Sequence, residues 1–312
     1  MDLELDEQQT LLVDALRSLG EGYRNLPSGH ERDYACWSPS LERVLRESGF
    51  MAAGRDAGWL EAALVVLEMA RLPVATTAMI SALAVPQLAG RVLDGPATIL
   101  RGDPARAHRF LGIADYALVV LEDDVALVDL RGRRVEPITS VFAYPYGRLV
   151  EPLDLSGAER LGARALPQLL QWQRVGIAAE AAGAAESAIA ITVEHVKERH
   201  VFGKPIGGFQ AVQHRLAQCH QMARATRFLA LHAAWTGDPL RADVAAAYAQ
   251  DMVNKLAFDL HQFNGGMGVT AEYKLHFWTY RLRALQAEAG GADGAAGDVY
   301  DRLWDAEGKV AA

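Results

Sequence analysis

The chain has two cysteines, Cys36 and Cys219, in 312 residues. Two thiols build neither a disulfide framework nor a Cys-based zinc site, and they fit a reducing compartment, so the expected location is cytoplasmic. The acidic start, MDLELDEQQT, has the character of neither a signal peptide nor a transit peptide. No run of about 18 uninterrupted apolar residues occurs, so no membrane-spanning helix is expected. Positive charge is also short. Lys and Arg number 31 against 39 Asp and Glu, a net −8, which argues against a bulk electrostatic grip on nucleic acid or anionic membrane. A local cationic pocket for a phosphate stays open. His195, His200, His214, His220, His261 and His276 show no metal-ligand spacing. No Gly-x-Gly-x-x-Gly follows a strand and no Gly-x-Ser-x-Gly occurs, so neither a Rossmann site nor a hydrolase nucleophile is supported. Internal repeats are absent.

What is present reads as a globular chain. Hydrophobic residues make up 51% and charged ones 22%, and the length suits two domains or three small ones. Residues 1–95 carry apolar positions at helical spacing, including Leu11, Leu12, Leu16 and Leu19, then Leu41, Val44 and Leu45, then Leu60, Leu64, Val65 and Leu67. Ser38 before Pro39 reads as a cap and first helical residue, and Pro73 and Pro86 as helix ends. Four or five helices are expected. Residues 96–160 change period. TILRG, YALVVLE, VALVDL and RRVEPIT are short, β-branched and separated by Gly, Asp and Pro, which predicts a small β domain with hairpin turns at Asp123-Asp124 and Arg131-Gly132.

Residues 161–312 return to helices. The stretch 167–200 is apolar on nearly all faces and rich in Ala and Gly, as suits a helix inside a bundle. Further helices are expected over 209–236, 241–263 and 270–288, the last capped by Thr270. The Gly-rich stretch 287–297 reads as a mobile loop. The expected fold is therefore mainly α with a small β domain: a helical start (1–95), a reduced β domain (96–160) and a four-helix bundle (161–312). The run His276, Phe277, Trp278, Tyr280 suits either a bundle core or a partner interface.

Two local patterns in the bundle go beyond packing. One is Arg199-His200-Val201-Phe202-Gly203-Lys204-Pro205-Ile206, followed by Gln210. The other is Gln262-Phe263-Asn264-Gly265-Gly266-Met267-Gly268, followed by Glu272. An arginine just after a helix, beside a Gly turn, presents a fork of donors suited to a pyrophosphate. Paired glycines allow close backbone approach to a ligand. In this order and spacing the two segments resemble the carboxy-terminal domain of the flavin-dependent acyl-CoA dehydrogenases, closely over about 165–288. The resemblance implies FAD as cofactor, an acyl-CoA thioester as substrate, and a site in which these segments hold the ADP half of a flavin that belongs mainly to a neighbouring subunit. On that basis Arg199 pairs with the pyrophosphate, Phe202 packs near the flavin end, and Gln210, Gln262, Gly265 and Gly266 line the adenosine portion.

The same resemblance exposes departures. The family's catalytic base is a glutamate at one of two places. On the first bundle helix, Arg174 matches the family's arginine and is a substrate-side candidate, but the neighbouring base position holds Gln173, and an amide takes no α-proton. After the fourth helix, Glu288 is the carboxylate at hand, one or two residues out of register. The flavin-ring segment of Thr, Glu, Gly, Ser and Asp expected in the middle domain has no counterpart between 96 and 160, and the chain is short for the family. The resulting expectation is one subunit of a heteromeric acyl-CoA dehydrogenase of α2β2 type, similar to the short paired members of bacterial steroid side-chain oxidation. The partner would carry the base. The alternatives are a self-sufficient homomeric enzyme with Glu288 as base, and a non-catalytic scaffold.

Overall fold

In a computed structural model, residues 4–25 and 34–305 are described. The helical start contains α1 (Glu7–Gly20), α2 (Pro39–Glu47), α3 (Ala53–Asp56), α4 (Trp59–Ala70) and α5 (Val85–Ala89). Local chemistry sets their ends. Asp6 and Gln9 form a reciprocal capping box on α1, and Ser38 accepts from the Leu41 amide to start α2, with Pro39 at its first position. Every residue of α4 from Ala62 to Ala70 is buried, so this helix is enclosed on all sides. Pro86 does not end a helix as expected. A π-helical segment, Met79–Ala84, runs straight into α5, and its wider turn accommodates the ring and the missing N–H.

The β region forms two small sheets. Strands β1 (Ala97–Leu100), β3 (Tyr116–Val120), β4 (Val125–Asp129) and β7 (Glu159–Arg160) make one, in the order β1-β3-β4-β7. Strands β2 (His108–Arg109), β6 (Tyr146–Leu149) and β5 (Val135–Ile138) make the other, in the order β2-β6-β5. The β3–β4 hairpin turns at Asp123-Asp124, with Val120 opposite Val125. The Arg131-Gly132 turn is not a hairpin: β4 and β5 lie in different sheets, and β5 pairs with β6. Leu100, Ala117, Val119, Ala126, Val128 and Leu149 form a small core joining the two sheets, while Leu118 and Leu127 point the other way into the main core. Both faces of β3 are therefore covered.

The bundle consists of α6 (Ala165–Glu198), α7 (Gln210–Thr236), α8 (Pro239–Asn264), α9 (Leu275–Leu285) and α10 (Gly291–Tyr300), with a hairpin of β8 (His200–Val201) and β9 (Lys204–Pro205) between α6 and α7. By length and apolarity α6 passes as a membrane-crossing helix, contrary to expectation, but it is mostly buried inside the bundle. Its small residues set its place: a Cβ on Gly183 would lie 2.1 Å from the Leu67 carbonyl oxygen, so only glycine lets α4 and α6 approach this closely. Thr270 is not a cap. The chain passes through a 3-10 segment, Gly265–Val269, and α9 begins at Leu275. The 287–297 stretch is not a loop either. Glu288–Gly290 forms a single 3-10 turn and α10 follows, docked on α8 with Ala295 fully buried. Apolar docking outweighs the weak helix propensity of its glycines. Of the aromatic run, His276, Phe277 and Trp278 are buried within the chain itself.

Candidate functional site

Two regions gather the chemically distinctive residues, one at the carboxy-terminal end of α6 and one along its amino-terminal half. At its carboxy-terminal end, Arg199 leaves the helix and enters the β8–β9 hairpin. The turn is two residues, Phe202 and Gly203, at φ 53° and 81°, the positive-φ pattern that matches strand twist in short hairpins. It holds Phe202 out from the surface, 92% exposed. Arg199 is exposed, and among the described residues its side chain has no ion-pair partner. Gln210 opens α7, also exposed.

The second segment sits at the same end of the bundle. Asn264 donates to Thr192 of α6 at 2.9 Å, and the Tyr273 hydroxyl donates to the Ile191 carbonyl at 3.1 Å. Three glycines here behave differently. A Cβ on Gly268 would collide with Asn264 at 2.8 Å, so Gly268 serves the chain's own packing. Gly265 and Gly266 face open space, and Gly265 has φ 55° with ψ −138°, a conformation suited to glycine. A groove of about 470 Å³ runs from Gly265 and Gln262 past Val269 and Tyr280 to Arg283. Phe258, Met267 and Val269 are exposed beside it. Unpaired Arg199, exposed Phe202, Gln262 and bare Gly265-Gly266 backbone fit one half of a dinucleotide laid against this surface.

The other region is a cleft of about 340 Å³ between the β region and the bundle, lined by Gln173, Arg101, Arg109, Tyr146 and Glu288 among others. Its charged centre is Arg109, from β2. Arg109 Nε lies 2.7 Å from Glu288 Oε1, Nη2 donates to Glu288 Oε2 at 3.0 Å, and Nη1 donates to Glu180 Oε2 at 3.1 Å. One guanidinium thus grips two carboxylates. The Tyr144 hydroxyl donates to Glu180 Oε1 at 2.7 Å, and its ring lies under the Arg109 cation at 4.7 Å. Gln173, the residue at the family's alternative base position, reaches the same point: its Nε2 is 3.5 Å from Glu288 Oε2. Two places 115 residues apart in sequence meet here.

Burial pushes the Glu288 carboxyl up. The Arg109 charge pulls it back, the Glu180 charge adds to the rise, and the net direction is upward. Burial likewise raises Tyr146 to about 12 and Tyr144 well above the usual phenol. The backbone of the Glu288 turn is fixed from outside. Gln250 Nε2 donates to the Leu285 and Glu288 carbonyls at 2.7 and 2.8 Å, and Arg174 Nη2 donates to the Ala289 carbonyl at 3.3 Å. Ala289, Gly290 and Gly291 all have positive φ, which reverses the chain just after Glu288. Arg174 is not among the cleft-lining residues. It is buried and paired with Asp243 and Asp298, each at 2.6 Å. Its place is to clamp the turn.

The structure thus brings Arg199, Phe202, Gln210, Gln262, Gly265 and Gly266 to one end of the bundle, and it places Glu288 and Gln173 together far from them. Arg109, Tyr144 and the role of Glu180 were not legible beforehand. Arg109 sits in a two-residue strand with no periodic signal, and Tyr144 in an irregular turn.

Comparison with known proteins agrees with this architecture. Residues 161–303 match the acyl-CoA dehydrogenase C-terminal domain. The acyl-CoA dehydrogenase IpdE2 of Mycobacterium tuberculosis is 34% identical over 115 residues, covering 37% of this chain and 36% of that one. The acyl-CoA dehydrogenase FadE34 of the same organism is 34% identical over 257 residues, covering 70% of this chain and 34% of its own length. The chain spans about a third of the length of the curated relatives it matches. Among solved structures, the ChsE4-ChsE5 complex of Mycobacterium tuberculosis superposes with a TM-score of 0.82 at 20% identity, covering 97% of this chain and 99% of that chain. Residues 161–303 are therefore an acyl-CoA dehydrogenase C-terminal domain, and the chain as a whole has the acyl-CoA dehydrogenase fold.

Proposed function

We propose that the chain is one subunit of a heteromeric FAD-dependent acyl-CoA dehydrogenase, and that it supplies the ADP side of an FAD site whose flavin ring and catalytic base lie in an unlike partner. The observation that carries this reading is the open end of the bundle. Among the described residues the Arg199, Phe202 and Gln262 side chains are exposed with no hydrogen-bond or ion-pair partner, and the Gly265-Gly266 backbone faces open space. The chain's own cleft is too far away to share that flavin. Glu180 lies on α6 and Arg199 caps its end, so at 1.5 Å per residue they are roughly 28 Å apart along the helix axis. That is farther than the pyrophosphate of an FAD lies from its own ring. When bound, the flavin would accept hydride from the acyl β-carbon. This chain's part is to bind and orient: Arg199 as the bidentate donor to the pyrophosphate, Phe202 as an apolar cover towards the ring, the glycines as bare backbone under the adenosine. The acyl-CoA substrate, an α2β2 assembly and a steroid side-chain acyl group belong to the same reading, as does a cytoplasmic location. The steroid part is supported by one solved structure of similar fold, a steroid acyl-CoA dehydrogenase.

The test is co-expression with an unlike acyl-CoA dehydrogenase chain, followed by the absorbance spectrum and native mass of the purified complex. The expected result is flavin bound in the mixed complex and lost on Arg199→Ala. A lone chain with one flavin per protomer and full turnover would sink the proposal. A second reading, Glu288 as the chain's own base, is favoured by the meeting of Gln173 and Glu288 in the cleft. On that reading Glu288→Gln abolishes turnover while flavin stays bound, and retained turnover removes it.

A further inference from the structure

Two adjoining cavities lie away from both regions described above. One, of about 620 Å³, is enclosed by α1, the end of α4 and α6. The other, of about 690 Å³, lies between α6 and α7, and the two share Arg17, Arg71, Ala190 and Ile191 in their walls. No residue of the Arg199 surface or of the Glu288 cleft lines either of them.

Arginine dominates these walls. Arg17 grips both oxygens of buried Glu68, Nε at 3.0 Å and Nη2 at 3.2 Å. Arg71 donates to the same two oxygens at 3.3 Å and lies 3.1 Å from Glu186. The carboxylates are thus taken, and a third guanidinium is left over. Arg227 Nη1 lies 3.8 Å from Glu68 and 3.6 Å from Glu186, too long for hydrogen bonds. Arg227 makes no hydrogen bond to any described residue, yet it is only 9% exposed. A charge that deep is ordinarily paired and hydrogen-bonded. Its nitrogens are not sealed by packing and open into the larger cavity.

One helical turn before it, Arg224 lies over the Phe228 ring at 4.7 Å and has no ion-pair partner among the described residues. Four guanidiniums therefore face two carboxylates, a surplus of two positive charges in a chain of net charge −8. The remaining charges on the walls do not cancel it. Glu194 is paired with Lys197, and Arg24 with Glu21. Lys274 donates to neutral acceptors, the Arg24 carbonyl and Asn25 Oδ1, so its charge adds to the surplus. His220 is the other titratable group on the larger cavity.

We propose that the adjoining cavities bind an organic phosphate, with its phosphoryl group against Arg227 and Arg224 and an apolar body along Ile189, Ile191 and Leu72. A phosphate monoester carries a charge of about −1.5 to −2 at neutral pH, which matches the surplus. A carboxylate balances half of it. Phosphate oxygens also fit the guanidinium fork bidentately, and apolar walls with a few convergent polar groups are the ordinary make-up of a small-molecule site.

The test uses the purified full chain without flavin, so its failure is separate from failure of the flavin reading. Hexyl phosphate, inorganic phosphate and hexanoate are titrated by calorimetry at low ionic strength. Hexyl phosphate is expected to bind at least about tenfold more tightly than either of the others. Arg227→Gln should weaken it by at least about tenfold, while Arg199→Ala leaves it unchanged. Equal binding of hexanoate overturns the phosphate assignment, and equal binding of inorganic phosphate overturns the apolar part. Binding that survives Arg227→Gln, or is lost in Arg199→Ala, overturns the site. Arg224 is exposed, so Arg224→Gln keeps the proposal testable if Arg227→Gln does not fold. A loss of about threefold is expected there, and unchanged binding overturns the proposal.

Discussion

The carboxy-terminal end of α6 and its amino-terminal half treat charge in opposite ways. At the Arg199 end, a guanidinium, an exposed phenyl ring and bare glycine backbone are set out without bonded partners among the described residues. Around Glu180, Arg109 is held by Glu180 and Glu288, and Arg174 by Asp243, all within hydrogen-bond distance. An open array spends no folding energy and gains its value on contact with something else. A closed array is part of the fold, and removing one member leaves its buried partner exposed to the full cost of desolvation. The contrast predicts that mutations at one end change binding without changing stability, and that mutations at the other end do the reverse.

The largest effect is expected at the closed end. Arg174→Met strands Asp243, which keeps Arg302 at 2.6 Å but loses its buried cation. Stability should fall by about 3–5 kcal/mol, read from urea unfolding, the scale for breaking one side of a buried pair. A loss below 1 kcal/mol would erase the contrast. Next, at the open end, Arg199→Ala should weaken flavin retention in the mixed complex by at least about tenfold, or roughly 1.4 kcal/mol, with an unchanged melting temperature of the chain alone. A falling melting temperature would mean that Arg199 belongs to the fold after all.

A smaller effect concerns pH. The Glu288 carboxyl is raised in the folded chain. Its contribution to stability is therefore complete below the ordinary Glu value of about 4.3 and is lost as pH rises through the folded value. Glu288→Gln should flatten that decline, measured as unfolding free energy at about pH 5 and about pH 8. An unchanged slope would show that the decline has another source. The smallest effect is expected for Phe202→Ser. Stability should stay within about 0.5 kcal/mol, as for an exposed residue, while assembly with the partner weakens in a sedimentation or native-mass titration.

The same contrast explains what could be read in advance. The open end was legible because its residues are consecutive: the Arg199–Gln210 and Gln262–Gly268 segments carry their spacing in the chain itself. The long helices and strands β1, β3, β4 and β5 were legible from period, and the Ser38-Pro39 start from its capping chemistry. At the closed end Arg174, Gln173 and Glu288 could be named one by one but not their network, because Arg109, Glu180 and Glu288 come from a two-residue strand, the middle of an apolar helix and a turn. Only tertiary packing brings them together. The misread stretch 287–297 failed for the same reason. Its glycines argue for a loop until α8 offers a surface for Ala295, and Arg174 a charge for Asp298.

A non-glycine residue at φ 53°, such as Phe202, costs about 1–2 kcal/mol relative to an ordinary backbone, and an exposed phenyl ring gains nothing from the chain's own core. Asn or Gly fits such a turn at less strain. Selection keeps phenylalanine there only while something outside the chain makes use of the ring. Residue 202 can therefore serve as a marker across relatives: lineages that still assemble with a second chain should hold an aromatic or large apolar residue at this turn, and lineages that have lost the partner should drift to Asn or Gly.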